Sequence, residues 1–257
     1  MQNNNANLPQ HVAIIMDGSR RWAKEKNKSQ KSGHNAGALA VRRTIEHASN
    51  LGIKSLSLYA FSKENWKRPK EEVEHLMKLF LRVLVNNQKF LKKNNIKFTP
   101  IGDIKVFSPE LQKKLQAMVE ESASNTGLNL NVALNYSGRW DITNATAKVL
   151  SLALDELKNY LDDPQVMASK IEELKTKYSD EMFLTNLIEE NLTVTEQDPI
   201  DLIIRTSNEQ RISNFFLWQA AYSEFVFLEE YWPEFNAELF DRALNIFSKR
   251  VRRFGGV

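Results

Sequence analysis

The chain reads as a single α/β domain, built on a central, mostly parallel sheet of about six strands flanked by helices. Three observations carry that reading. Short apolar runs of strand length alternate with longer, helix-patterned stretches along all 257 residues. Several of the apolar runs end in polar, charged clusters, as expected where ligands gather at the carboxyl ends of parallel strands. No Pro/Gly/Ser-rich linker and no internal repeat divides the chain.

Composition narrows the class. The chain is 42% apolar and 26% charged, ordinary for a globular protein able to bury a large core. It has no cysteine, which removes disulfides and thiolate metal sites. A net charge of +3 permits a phosphate-bearing ligand and gives no reason to expect nucleic acid. Residues 1–10 (MQNNNANLPQ) form a polar segment expected to be disordered, without the basic-then-apolar order of a secretory signal. No run approaches membrane-spanning length, so a cytoplasmic protein is expected.

Residues 12–16 (VAIIM) are unbroken apolar, too short for a helix and right for a strand buried on both faces. The run stops at the turn pair Asp17-Gly18, with Ser19 placed to cap a helix opening at Arg20-Arg21-Trp22. A carboxylate, a glycine, a hydroxyl and two arginines at a strand end suit an anionic ligand held through a divalent cation. The plainer alternative is an aspartate that only caps. Residues 32–50 place Ala36, Leu39, Ala40, Thr44, Ile45 and Ala48 at helical spacing, with Gly52 as the stop. His34, near that helix start, is by itself more naturally a structural histidine than an acid or ligand.

Residues 55–61 (SLSLYAF) form a second buried strand, followed by the polar cluster 62–69. A long helix is predicted over 70–94. Its segment 76–85 (LMKLFLRVLV) is apolar almost all round, which fits burial in a core or subunit interface as well as a ligand-lining wall. Residues 97–102 read as a strand despite Pro100, 109–124 as a helix, and 128–136 (LNLNVALNY) as a strand ending at Ser137-Gly138-Arg139-Trp140-Asp141. A helix follows from 142, and 154–190 is helical, charged and loosely patterned, with a break at Asp162-Asp163-Pro164. Strands are predicted at 200–205 and 224–228, separated by the polar cluster 206–214 and an apolar stretch, 215–221. A closing helix is predicted over 237–253.

The clusters at 17–22, 62–68 and 205–213 end three strands that, if parallel, face one crevice. Together they offer Asp17, the hydroxyls of Ser62 and Ser213, and five arginines: Arg20, Arg21, Arg68, Arg205 and Arg211. Guanidinium forks grip phosphate oxygens with paired hydrogen bonds. No Walker loop, dinucleotide fingerprint, Ser–His–acid pattern or histidine metal motif is present.

The segments HVAIIMDG with RRWA, SGHNAG, LYAFSKENWKRP, NYSGRWDI, DLIIRT, RISNFFLWQ, YSEFVF, WPEF and RRFGG resemble the cis-prenyltransferase (isoprenyl transferase) family. The resemblance runs in order and spacing from about residue 11 to 256, and is nearest to bacterial members that make undecaprenyl diphosphate. It implies a catalytic domain over 11–257 that adds isopentenyl diphosphate units to farnesyl diphosphate, uses magnesium (Mg2+) and works as a homodimer. It also implies an apolar tunnel lined by 76–85, Ala60 and the strand around 132–134, and transient membrane contact on product release.

Site roles follow from the same resemblance. Asp17 falls on the essential aspartate that handles the diphosphates with magnesium. Gly18, Ser19, Arg20, Arg21 and Trp22 fall on the allylic diphosphate loop, with Gln30 and His34 close to it. Ser62, Lys63 and Glu64 fall on a mobile segment over the substrates, completed by Trp66 and Arg68. Asn65 falls on a residue proposed to assist proton removal from the condensing unit; an amide is a poor base, so orienting or relaying is the expected part. Arg205, Arg211 and Ser213, with Ile212 between them, fall on the isopentenyl diphosphate clamp, and Glu224 on a second magnesium-linked carboxylate. Ser19, Arg20, Gln30 and Asn208 depart from the family's commonest residues, which bears on rate, affinity and substrate choice more than on reaction class. Two rivals follow: an atypical shorter-chain or irregular prenyltransferase, and a non-catalytic partner subunit. The basic stretch 249–253 is read as helix charge and dimer contact, not as a nucleic-acid surface.

Overall fold

The structure, a computed structural model, describes residues 8–158, 160, 164–194 and 199–251. Six strands form one parallel sheet in the order β3-β4-β2-β1-β5-β6. They are β1 (His11–Ile15), β2 (Ser55–Ser62), β3 (Lys97–Ile101), β4 (Asn129–Tyr136), β5 (Leu202–Arg205) and β6 (Glu224–Phe227). The helices are α1 (Ser19–Glu25), α2 (Gln30–Asn50), α3 (Lys70–Lys93), α4 (Pro109–Ser122), α5 (Gly138–Lys158), α6 (Pro164–Ser179), α7 (Glu181–Asn191) and α8 (Ala237–Ser248).

The run around β1 is apolar without alternation because both faces are covered. Val12 and Ile14 join the core under α2, α3, α4 and α8, while Ala13 and Ile15 join a second core with Phe215 and Phe216. Chain order reverses at β1: β2 lies on one side and β5 on the other. The carboxyl ends of those three strands therefore flank a switch point, where open parallel sheets hold ligands. Pro100 is tolerated because β3 is an edge strand. In β2 the pairing with β4 shifts between Tyr59 and Phe61. This bulge puts Ala60 and Phe61 both toward the α3 core, where strict alternation would have turned Phe61 away.

Several predicted boundaries move. Ser19 is the first residue of α1, not its cap; Gly18 holds the cap position at φ 103, with no side chain capping the helix. Residues 63–67 form a turn of 3₁₀ helix. The fifth helix begins at Gly138, four residues early, with Ser137 Oγ accepting Trp140 N–H at 3.2 Å. The last helix stops at Ser248 rather than 253. Of the polar segment 1–10, residues 1–7 lie outside the described residues, while Leu8 packs on the main core and Pro9 is buried. The predicted break at 162–164 and the RRFGG motif also lie wholly or largely outside them.

Candidate active site

A cavity of about 1030 Å³ opens at the carboxyl ends of β1, β2 and β5 and continues between the sheet and α3. Its mouth is polar, with Asp17, Gly18, Ser19, Arg20, Arg21, Gln30, His34, Ser62, Asn65, Arg68, Arg205 and Ser213 all on the wall. Its interior is apolar. Ala60, Val132 and Leu134 line it near the strand ends, and Leu91, Phe98, Met118 and Leu130 line it toward the opposite edge of the sheet. The predicted tunnel thus exists and passes along one face of α3. Leu84 and Val85 of the predicted wall are outside what is described for side chains.

Asp17 is the best-held group at the mouth. Its Oδ2 accepts from Arg205 Nη2 at 2.9 Å, with Arg21 Nη2 at 3.3 Å, and its Oδ1 accepts Gly18 N–H at 2.6 Å. Burial alone would raise its pKa. The hydrogen bond and charge of Arg205, the charge of Arg21 and the Gly18 amide outweigh burial and hold it below the ordinary carboxylate value. The aspartate is therefore ionised at neutral pH and does more than cap.

Buried Arg205 also donates through Nη1 to Ser213 Oγ at 2.7 Å and to the Arg211 carbonyl. Arg21 is committed to Ser207 Oγ at 2.6 Å and Glu209 Oε1 at 3.0 Å. Thr206, which the sequence reading missed, is fully buried. It accepts Asp17 N–H at 2.9 Å and donates to the Asp17 carbonyl at 2.7 Å, locking the two strand ends together. Asn208 adopts φ 56, the left-handed backbone that asparagine tolerates better than most residues.

Other expected residues stand beside the cavity rather than in it. Trp22 carries Lys28 Nζ over its ring at 5.0 Å. Lys63 Nζ pairs with Asp103 at 2.8 Å, and Glu64 accepts from Asn214 Nδ2 at 2.7 Å, tying the 62–67 turn to neighbouring loops. Trp66 donates to Asn135 Oδ1 at 2.8 Å and packs edge-on to Phe61. Arg211 pairs with Glu209 with its side chain largely exposed, and Ile212 packs on the second core.

Glu224 does not join Asp17 within one chain. It pairs with Leu202, itself level with Val12, and so sits about 16 Å of strand below Asp17 and two strands across. There its carboxylate meets Arg250 Nη1 at 2.6 Å.

Asn65 lines the mouth, but its Oδ1 already accepts Ser62 N–H at 3.1 Å in a capping box. That bond fixes the side chain with its amide N–H groups available to a ligand, and since an amide is a poor base, orienting a substrate suits it better than taking up a proton. His34 has its pKa lowered by burial, against an opposing pull from Glu72 and with the charges of Arg68 and His75 adding to the fall, so the ring is neutral at pH 7. A mouth rich in guanidinium and hydroxyl groups leading to an apolar tunnel accommodates one chemical shape: an anionic head with a long hydrocarbon tail.

The comparisons with known proteins converge on that shape. A prenyltransferase family model described as "Putative undecaprenyl diphosphate synthase" matches residues 15–255. A ditrans,polycis-undecaprenyl-diphosphate synthase of Shewanella oneidensis, (2E,6E)-farnesyl-diphosphate specific, is 48% identical over 248 residues, 96% of this chain and 83% of that protein. Lavandulyl diphosphate synthase from Lavandula x intermedia, in complex with dimethylallyl diphosphate, superposes with a TM-score of 0.81 at 34% identity, covering 97% of this chain and 99% of that one. A probable undecaprenyl diphosphate synthase from Campylobacter jejuni superposes with a TM-score of 0.74 at 28% identity, covering 97% and 100%.

Proposed function

This chain belongs to the undecaprenyl diphosphate synthase family of prenyltransferases, and we propose on that footing that it condenses isopentenyl diphosphate onto farnesyl diphosphate to form undecaprenyl diphosphate. The product serves as precursor of the lipid carrier for cell-wall polysaccharide synthesis. One observation carries the reading: a single cavity joins the Asp17–arginine mouth to the apolar tunnel, so head and growing tail have separate, matched environments.

In each cycle the allylic C–O bond breaks, pyrophosphate departs, and the isopentenyl double bond attacks the prenyl carbon before losing a proton. Arg20 and Arg68 face the allylic diphosphate, and their fixed positive charge stabilises the negative charge that grows on the leaving group. Arg205 and Ser213, already linked, form the second anion subsite for isopentenyl diphosphate. Asn65 orients that unit, and the turn 63–67 above the mouth keeps water from the electron-poor carbon.

Magnesium fits this mouth. It favours one or two protein carboxylates together with phosphate oxygens and water. Asp17 supplies one ionised carboxylate where the diphosphates sit; among the described residues no group of three His, Cys, Asp or Glu side chains is placed to hold a metal. When bound, the ion would add to the neutralisation of the diphosphate charge.

A homodimer, a cytoplasmic site of action and transient contact with the inner membrane face on product release complete the reading. No helix among the described residues is long and apolar enough to cross a membrane.

The test is purified protein with farnesyl diphosphate, isopentenyl diphosphate and magnesium, products sized by mass spectrometry, with Asp17→Ala alongside. A long polyprenyl diphosphate that disappears in the variant is expected. A short or branched product, with dimethylallyl diphosphate also tried as primer, would shift the reading to an atypical shorter-chain or irregular transferase. No product from folded protein would favour a non-catalytic partner subunit.

A further inference from the structure

Behind the arginines of the mouth lies a carboxylate that the reaction as described does not use. Glu72 sits in the first turn of α3 with its side chain only 7% exposed. Its Oε1 accepts from Arg68 Nη1 at 3.1 Å and lies 3.5 Å from His34 Nε2, an ion-pair distance without a formed hydrogen bond. Its Oε2 has no hydrogen-bond partner, with Arg20 Nη1 3.8 Å away. Arg20, His34 and Arg68 all line the cavity; Glu72 does not. One carboxylate thus faces three nitrogen-bearing side chains from the protein side, leaving their other faces toward the ligand.

A simpler role would be favourable interaction with the positive end of α3. Glu71 beside it is exposed and meets that need without burial. Burying Glu72 costs desolvation, which only its cationic neighbours offset. Without a counter-charge, Arg20 and Arg68 would repel each other across the crevice, and long arginine side chains would turn to water.

We propose that Glu72 is a positioning residue for the allylic diphosphate. It pins Arg68 through Oε1 and offers Oε2 to Arg20, so each incoming diphosphate meets guanidinium groups already in place. A movement of about 1 Å brings Arg20 within hydrogen-bond distance of Oε2. The neutral His34 ring stands beside the same carboxylate and completes the wall. Binding then forgoes the ordering cost of two flexible side chains, which is how preorganisation raises affinity. The Arg205–Ser213 subsite makes no contact with Glu72, so the effect is confined to one of the two substrates.

This inference rests on the function proposed above, and the test separates the two. Steady-state kinetics with farnesyl diphosphate and isopentenyl diphosphate varied in turn compare wild type with Glu72→Gln, Glu72→Asp, Arg68→Ala and the Glu72→Gln/Arg68→Ala double variant. Glu72→Gln keeps size and removes charge. Its KM for farnesyl diphosphate is expected to rise about 10- to 100-fold, the worth of one charged hydrogen bond. Its KM for isopentenyl diphosphate stays within about twofold, a split that a general loss of folding would not produce. Glu72→Asp, which keeps the charge, recovers part of the loss. The double variant loses clearly less than the product of the two single losses, because the glutamate acts in part through Arg68 and in part through Arg20. Equal effects on both substrates, additive losses in the double variant, or unchanged kinetics in Glu72→Gln would overturn the positioning role. Absence of product from wild type would overturn the function instead. Should Glu72→Gln not fold, the Glu72→Asp and Arg68→Ala pair carries the same comparison.

Discussion

Arg205 links Asp17 to Ser213: its Nη2 donates to Asp17 Oδ2 at 2.9 Å while its Nη1 donates to Ser213 Oγ at 2.7 Å. The pair forms only because β1 and β5 are neighbours and both end at the switch point. Asp17→Asn keeps the shape and removes the charge. Product formation is expected to fall about 10²- to 10³-fold, the usual cost of one preorganised electrostatic group, with the fold retained by circular dichroism. Arg205→Ala is expected to cost about 1–3 kcal/mol of stability in urea unfolding, less than a fully buried pair because Asp17 is partly exposed.

The lowered Asp17 pKa has a signed consequence. A carboxylate whose folded pKa lies below its unfolded value adds stability that is complete above the unfolded value. That stability is lost as pH falls through the folded one. The stability difference between wild type and Asp17→Asn should be constant from neutral pH down to about 4 and shrink below it. Urea titrations from pH 7 to 3 read it directly; a difference that shrinks between pH 7 and 5 would contradict the assignment.

His34 follows the same rule in a different window. Its folded pKa lies below the ordinary histidine value because burial penalises the charged ring, while Glu72 pulls the other way. Its contribution is present above about pH 6.5 and falls as pH drops through the lowered value. The ring resonances in a proton NMR titration should move at lower pH than those of a free histidine. Glu72→Gln removes the upward pull and should lower the midpoint further.

Gly33 lets α2 press against the first turn of α1, beside the cavity mouth. A Cβ there would stand 2.2 Å from the Ser19 carbonyl oxygen, a backbone atom that cannot step aside. Gly33→Ala should destabilise by about 1–3 kcal/mol through overpacking. It should also weaken farnesyl diphosphate binding, because Ser19 and Arg20 shift with the start of α1. Thermal melts and KM measurements check both.

Tunnel volume sets the tail that fits. Ala60→Leu and Val132→Phe add bulk to the wall nearer the mouth and should shift products to shorter chains. Met118→Ala opens space toward the far edge of the sheet and should shift them longer. Mass spectrometry of products separates these outcomes.

Much of the scaffold was legible because its signals are local. Residues 12–16 and 200–205 announce buried parallel strands by apolar run length, and the polar clusters after them mark the ligand side. Asp17, Arg20, Arg68, Arg205 and Ser213 were found by residue type at strand ends and do share one mouth. Boundaries were less legible: Ser19 looked like a cap, but Gly18 takes that position because its left-handed backbone turns the chain under Tyr231 and Ser207, where a Cβ would clash. Trp66 and Lys63 carry the residue types of a site, yet partners far along the chain, Asn135 and Asp103, draw them into the scaffold.

The sequence by itself determined the alternation of strands and helices, the side of the sheet where the cavity mouth opens, and the family, because each rests on short-range pattern and motif order. Tertiary structure alone decided which charges meet. Arg205 finds Asp17 across 188 residues, Glu224 is carried to the opposite end of the sheet, and Glu72 arrives behind Arg20, Arg68 and His34. Strand order and helix packing set those distances. An ion pair falls off with separation in space and is blind to separation along the chain.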